Sequence, residues 1–347
     1  MKILLLHAYS ADNAGDGLLV TEALDLIREA FPGAHVDVAA QHPDTFDEPG
    51  VRFLDAGVSR RGPGRDLLRV LRSLDDYDLL VGVGGGYLRS GTPREGLQTL
   101  VAHGPQLWAA GRSSTPSVYL PQSVGPFRHG AGALLRRGLR RVDSVLLRDD
   151  LSIAESGLAN ARRVPDMALL ADRHLRAGEP TAGPVVLSVR TVHGRVPDDV
   201  VDLAGRLGAF DGYVQSRGAG NDDLSAVESI GPRRILTREE LLAPEAPRRV
   251  VISVRLHGAL MSINAGHRAI HLSYERKGFG AFQDLGLLAY VHNVNDFDAA
   301  LVAEQASSLL TDPTAGAGYD DALASATAAL RGRRDELVAA LRDAAVD

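Results

Sequence analysis

The chain has 347 residues, a formal net charge of −6 and no cysteine. The missing thiols exclude disulfides, thiolate zinc sites and a cysteine nucleophile, and the negative balance argues against non-specific nucleic-acid binding, which needs clustered cations. No apolar run approaches the roughly 20 residues that span a bilayer. Met1-Lys2 leads straight into a strand pattern without the regions of a leader peptide, so a cytoplasmic protein is expected.

The length predicts two domains. In chain order, Lys2 to Ala8 reads as a buried strand, Asn13-Ala14-Gly15-Asp16 as a loop and Gly17 to Phe31 as a helix. Strands follow near 35–39, 78–83, 117–121 and 143–147, separated by helices near 64–75, 95–111 and 130–141. His7, ending the first strand, reads as buried structure rather than as a base. The strand at 78–83 runs into Gly84-Gly85-Gly86-Tyr87-Leu88, a glycine-rich turn that either admits a ligand to the backbone or merely turns the chain. The strand at 117–121 leads into Pro121-Gln122-Ser123-Val124-Gly125-Pro126. Arg136-Arg137-Gly138-Leu139-Arg140-Arg141 reads as a solvated helix face in preference to a membrane-surface patch. Arg148-Asp149-Asp150-Leu151-Ser152 follows the next strand; Arg148 is either a ligand cation or the ion-pair partner of Asp149 or Asp150. Val164-Pro165-Asp166 closes this half with a turn.

Residues 172–183, rich in Arg, Gly, Pro and Thr, read as a linker. A second alternating set follows, with strands near 184–189, 212–215, 249–254 and 268–272. Its helices lie near 198–208, 237–242, 258–265, 296–310 and 319–345, and Thr237 with Glu240 forms a capping-box pattern. Two alternating halves predict an α/β protein of two Rossmann-like domains with mainly parallel sheets facing a cleft, the arrangement called GT-B. The divisions are 1–172, 183–318 and a C-terminal helix at 319–347.

Arg255, Leu256 and His257 stand between the 249–254 strand and the next helix. Ligands gather at the carboxyl ends of strands in open α/β sheets, and a helix N-terminus adds backbone donors and a positive partial charge. A fixed cation and a titratable imidazole there suit an anionic substrate; the alternative is a packed or capping histidine. Downstream come Ser273-Tyr274-Glu275-Arg276-Lys277-Gly278-Phe279 and Leu285-Gly286-Leu287. Lysine occurs only at Lys2 and Lys277, which draws attention to the second.

The Arg-Leu-His junction, the Tyr274/Lys277 segment, the Asn-x-Gly-Asp loop, the glycine triplet, Pro121–Pro126, Arg148–Ser152 and Asp166 stand in collinear order from residue 2 to about 290. This order resembles the polysaccharide pyruvyl transferase family, transferases of bacterial cell-wall and polysaccharide biosynthesis that move pyruvate from phosphoenolpyruvate onto sugar hydroxyls, usually as a ketal. The pattern departs after Gly86, where Tyr87-Leu88-Arg89-Ser90 replaces a short acidic or amide segment, and the acceptor is left open. The resemblance implies the same two-domain fold, with the acceptor on the N-terminal side and the donor on the C-terminal side. It implies His257 as the catalytic acid/base and Arg148, Arg255, Leu256, Tyr274 and Lys277 as donor-binding residues. Asn13, Gly15, Asp16, Gly85, Gly86, Gln122 and Ser123 become acceptor-binding residues, with helix capping the alternative for Asp16. It implies no metal and no cofactor, phosphoenolpyruvate as donor substrate, a sugar or glycan acceptor and no nucleic-acid partner. A lipid-linked acceptor would bring the enzyme to a membrane surface; nothing in the sequence sets the oligomeric state. A nucleotide-sugar glycosyltransferase of the same architecture stays open, since Asp222 and Asp223 leave room for a ribose contact. A non-catalytic carbohydrate-binding protein is the third reading.

Overall fold

The computed structural model describes residues 1–59, 62–170, 183–218, 222–274 and 276–345. By its contacts the chain divides into two compact units. The first comprises Met1–Ala11, Asp16–Leu170 and Arg331–Asp347; the second comprises Asp12–Gly15 and Ala171–Leu330. Apart from Gly183, the segment read as a linker lies outside the described residues.

The strands of the first unit are β1 (Lys2–Ala8), β2 (His35–Ala40), β3 (Arg52–Asp55), the short hairpin β4 (Val58–Ser59) and β5 (Gly62–Pro63), β6 (Leu79–Gly82), β7 (Gly85–Ser90), β8 (Ser117–Phe127), β9 (Ser144–Leu147) and β10 (Ala161–Arg163). Its helices are α1 (Ala14–Ala30), α2 (Arg65–Leu71), α3 (Pro93–Ala102), α4 (Gly104–Ala110), α5 (His129–Leu139) and α6 (Asp150–Ser156). The main sheet runs β10-β9-β8-β6-β1-β2-β3, with β7 paired to β8, and its pairings are parallel. Parallel strands buried on both faces need unbroken apolar runs, and Ile3 to Leu6 and Leu79 to Val81 supply them, all 0% exposed. Strand order reverses between β1 and β6, so the carboxyl ends of these strands, at His7–Ala8 and Gly82–Gly85, mark this sheet's switch point.

Three expectations are corrected here. The glycine turn at 84–88 is instead the start of β7, and Gly85 takes φ +151°, open to a residue without a Cβ. The turn signal loses because the strand predicted to stop at 121 continues to Phe127 and offers β7 a backbone partner. The single helix expected at 95–111 is two, because Pro105 has no N–H to donate and its ring blocks a continuous helix.

The second unit contains β11 (Val186–Ser188), α7 (Asp198–Leu207), β12 (Asp211–Tyr213), α8 (Leu224–Ser229), β13 (Ile235–Leu236), α9 (Arg238–Leu242), β14 (Val250–Ser253), α10 (Leu256–Asn264), β15 (Arg268–Ser273), α11 (Arg276–Asp284), β16 (Val291–Asn293), α12 (Ala299–Thr311) and α13 (Pro313–Ala344). Its parallel sheet has the order β13-β12-β11-β14-β15-β16, the doubly wound order with one reversal, between β11 and β14. The capping box at Thr237 and Glu240 is formed. The last helix starts at Pro313 rather than near 319, with proline at its first position, where its missing N–H costs nothing. Its end belongs to the first unit, where Arg334 pairs with Glu29 at 2.9 Å and Glu22 at 3.3 Å. Arg342 there donates to the carbonyls of Glu29 and Ala30, at the C-terminal end of α1, which favours a cation. Among the described residues no helix is long and apolar enough to cross a membrane.

Asp37 on β2 is fully buried, yet it accepts from Arg52 Nε at 2.9 Å, Arg52 Nη2 at 2.6 Å and the Tyr77 hydroxyl at 2.7 Å. Burial pushes its carboxyl up, but the bonds from Arg52 and Tyr77 and the Arg52 charge outweigh it, and the pKa lies below the ordinary value. Such a group stabilises the fold above the unfolded pKa of about 3.9, and the contribution is lost as pH falls through the depressed folded value. Asp37→Asn should therefore cost about 1–2 kcal/mol at pH 7 in urea unfolding. The gap from wild type should narrow steadily from about pH 4 downward; a gap constant with pH would contradict the ionic account.

Candidate active site

In the second unit the sequence places three candidate side chains at the carboxyl ends of adjacent strands. Arg190 follows β11, Arg255 follows β14 and Tyr274 follows β15. Arg190 and Arg255 therefore flank the switch point, where a doubly wound sheet opens a crevice for ligands. Arg255 is the N-cap residue of α10 in extended conformation, and Leu256 and His257 are the helix's first two residues. The Ser253 hydroxyl donates to the Arg255 carbonyl at 2.9 Å and fixes the turn. The unpaired backbone donors of a helix's first turn favour an anion there.

The Arg255 guanidinium is held along its Nε/Nη2 edge by Asp223. Nε donates to Oδ2 at 2.5 Å and Nη2 to Oδ1 at 2.8 Å. Arg255 is 7% and Asp223 3% exposed, so the pair is formed away from water. Burial raises the Asp223 carboxyl, against the lowering pull of Arg255 and Arg190. Arg190 lies over the Tyr274 ring at 5.1 Å, and its Nη1 donates to the Tyr274 hydroxyl at 3.1 Å. Gln215 and Ser216, just beyond β12, are buried; Gln215 Oε1 and Ser216 Oγ have no hydrogen-bond partner among the described residues. Buried polar atoms of this kind mark a place where a ligand or water completes the bonding. Lys277 lies in the first turn of α11 and is half-buried.

The loop Asp12–Gly15 belongs to this unit. Asn13 forms a bridge with Ser216, Ala14 N–H donates to the Gln215 carbonyl at 3.4 Å, and Arg217 N–H donates to the Asp12 carbonyl at 3.2 Å. The Asn13 side chain accepts from Gly15 N–H at 3.2 Å at the start of α1. Gly15 lies against His257: a Cβ there would stand 2.6 Å from Nδ1 and 2.8 Å from Cγ. Glycine is required for that approach, and the imidazole is braced by it.

In the first unit, Gln122, Ser123, Arg148 and Asp166 meet where the middle of β8 lies beside the end of β9. Gln122 lies in register with Gly85 on one side and Leu147 on the other. It is fully buried, and neither amide atom has a partner among the described residues. The Arg148 guanidinium is ion-paired with Asp166, not with Asp149 or Asp150, and its Nε donates to Ser123 Oγ at 2.9 Å. Arg148 is 3% exposed, and its Nη2 lacks a partner among the described residues. Asp149 instead caps α6 by accepting from Ser152 N–H at 2.7 Å, and it accepts from the Ser123 hydroxyl at 2.6 Å. Gly84 is packed closely, since a Cβ there would stand 2.6 Å from the Pro121 carbonyl oxygen. Asp16 is half-buried in the first turn of α1, and Gly86 lies on β7.

His7 is buried with its Nε2 2.7 Å from the Tyr119 hydroxyl and its Nδ1 3.3 Å from His103 Nδ1. Burial lowers both imidazoles, with the His103 charge adding to the effect on His7, and brings His103 to about 4. Both rings are neutral near pH 7, the state a packed histidine needs. Among the described residues no group of three His, Asp or Glu side chains is placed to hold a metal ion.

Sequence reasoning did not single out Arg190, Gln215 or Ser216, and gave Asp223 a different role. Position after an apolar strand, as for Arg255, was the available signal for Arg190. Gly15→Ala is expected to displace His257, since the added methyl overlaps the imidazole. Turnover should fall at least about tenfold, as expected when a catalytic group is misplaced by about 1 Å, while circular dichroism stays native. Unchanged turnover would show that the His257 position does not depend on this contact.

The sequence profile of the polysaccharide pyruvyl transferases matches residues 13–276. Among curated proteins no sequence matches the chain. Solved structures that resemble it include a UGT transferase from Siraitia grosvenorii in complex with UDP, with TM-score 0.55, 13% identity and all of both chains covered. HepE from Anabaena in complex with UDP has TM-score 0.58 and 12% identity over 98% of this chain and all of that one. A mutant O-GlcNAc transferase from Thermobaculum terrenum has TM-score 0.53 and 15% identity over all of this chain and 68% of that one. At these identities the likeness carries the fold, two Rossmann-like domains of GT-B type. With the profile spanning most of its length, the chain belongs to the polysaccharide pyruvyl transferase family and is a transferase.

Proposed function

We propose that the protein transfers the pyruvyl group of phosphoenolpyruvate to hydroxyls of a sugar or glycan precursor, closing a ketal and releasing phosphate. The observation that carries this reading is the Arg255-Leu256-His257 junction at the switch point of the second sheet, in a chain of this family. Phosphoenolpyruvate presents a carboxylate and a phosphate, and guanidinium groups pair with both in fixed planar geometry. Arg255 and Arg190 are assigned to the donor, with Tyr274 orienting Arg190 and Lys277 as a further donor cation. The Leu256 and His257 backbone at the start of α10 belongs to the same donor site. Arg148 offers Nη2 to an anion while Asp166 and Ser123 hold the rest of its guanidinium. Asn13, Gly15, Asp16, Gly85, Gly86, Gln122 and Ser123 are assigned to the acceptor.

His257 is the proton carrier. The donor methylene takes a proton at C3 as the first sugar hydroxyl adds to C2 and loses its own proton. A second hydroxyl then attacks C2 and phosphate departs, so one donor and one diol give one ketal and one phosphate. An imidazole changes charge near neutral pH and suits both proton movements.

A nucleotide-sugar transferase is the second reading, favoured by the UDP complexes among the structural neighbours but less directly than pyruvyl transfer is by the family profile. Of the two acids that leave room for a ribose contact, Asp223 is engaged at both oxygens by Arg255 and Asp222 accepts from Leu224 N–H at 2.8 Å through one oxygen.

The test is phosphate release from phosphoenolpyruvate across a panel of sugar and lipid-linked acceptors, with mass spectrometry of the products. A product carrying one pyruvyl ketal is expected with at least one acceptor. Glycosyl transfer from a nucleotide sugar with no use of phosphoenolpyruvate would overturn the reading. On the acceptor found, His257→Gln should lower turnover by about 10²–10⁴-fold with donor affinity nearly unchanged. Near-normal turnover of that variant would move the proton transfer to another residue.

A further inference from the structure

The helices α3, α4 and α5 pack on one another on the first unit. Their chain segments, 93–112 and 128–141, hold seven arginines (Arg94, Arg112, Arg128, Arg136, Arg137, Arg140 and Arg141) against the single acid Glu95. These segments thus carry a formal +6 in a chain of −6, so the remainder carries −12. Self-repulsion alone would scatter such charges; their concentration on one helical layer gives the protein a strongly polarised field.

The charges border apolar surface. A groove of about 170 Å³ lies between α4 and α5, lined by Trp108, Leu134, Arg112, Arg137 and Arg141 with two glycines and, among the described residues, no acid. Gly138 lets the α5 backbone close on Trp108, since a Cβ there would stand 3.0 Å from the indole. Leu134 is 41% exposed, and α3 adds Leu97 at 63% and Val101 at 47%, one turn apart. Arg112, Arg137, Arg140 and Arg141 are exposed, whereas Arg136 is drawn in over the Phe127 ring and donates to the Glu155 carbonyl. A layer of exposed leucine and valine, a half-buried tryptophan and guanidinium groups with little acid among them has the composition of an interfacial membrane contact. Arginine stems bury their methylenes while their heads meet lipid phosphate, and juxtamembrane cations are attracted to anionic leaflets.

We infer that the α3–α4–α5 face docks the protein on an anionic phospholipid surface, with Trp108 and Leu134 at the interface and Arg112, Arg137 and Arg141 on lipid phosphates. The docking face is independent of the donor assignment at Arg255.

Trp108 is the sole tryptophan, so its fluorescence reports this face directly. The full-length protein is titrated with vesicles of phosphatidylcholine alone or with 30 mol% phosphatidylglycerol. A blue shift is expected with the anionic vesicles, with co-sedimentation that 0.5 M NaCl reverses. Neutral vesicles should produce neither. The double variant Arg137→Glu, Arg141→Glu should keep a native circular-dichroism spectrum and lose vesicle partitioning at least tenfold. No shift with anionic vesicles, an equal shift with neutral ones, or full binding by a folded double variant would overturn the proposal. A shift produced equally by inorganic phosphate would overturn it in favour of a small-anion site.

Discussion

A guanidinium removed from water has to be paired at its edges, and this requirement organises the second unit around Arg255. Asp223 meets it with two parallel hydrogen bonds, each partner under 10% exposed. Removing one member of such a pair strands a buried charge and is strongly destabilising, by about 3–5 kcal/mol. The pair holds the guanidinium at the end of β14, on the N-cap residue of α10, whose second residue is His257. Asp223 itself is held where the chain past β12 turns into α8, its N–H donating to the Ser216 carbonyl. The turn after one strand thus holds a guanidinium at the end of another.

The first unit solves the same problem separately. Arg148, with Asp166 and Ser123, forms a buried polar knot between the middle of β8 and the end of β9. Asp149 and Ser152, which look like charge and hydroxyl available for binding, are taken up in capping α6 and tying it to β8; the Ser152 hydroxyl accepts from Val124 N–H at 3.0 Å. At this knot the atoms without a partner among the described residues are those of the Gln122 amide and one nitrogen of Arg148. In a well-packed interior such atoms are few, and they single out the positions where a substrate or ordered water completes the bonding.

The strand-to-helix junction at Arg255 was legible because a β-branched run, Val250 to Val254, gives way to the small residues of α10. Both alternating halves and the capping box at Thr237 were legible for the same local reason. Pro105, inside the stretch read as one helix at 95–111, is the residue in the sequence that marks the break. The strand at Gly85 was hidden, because a glycine triplet reads as a turn until the extension of β8 supplies its partner. Side-chain pairs between distant segments were not legible. Arg148 has acids at the next two positions and binds neither, and Arg255 finds its acid 32 residues back. Nor does spacing reveal that Gly15 lies against His257, since that contact exists only once the loop after β1 joins the second unit.

The central claim is that the Arg255 junction is a phosphoenolpyruvate site, and calorimetric titration of phosphoenolpyruvate into the full-length protein tests it without knowledge of the acceptor. Saturable binding is expected for the wild type. Arg255→Lys, which keeps the charge but not the bidentate fork, and Arg255→Ala should each weaken it, the alanine variant by roughly ten- to a hundredfold, the loss of about 1.5–3 kcal/mol of charge-assisted hydrogen bonding. Thermal melts of the same variants report the damage done by leaving Asp223 alone. Absence of donor binding by the wild type, or equal affinity in all three folded proteins, would contradict the account.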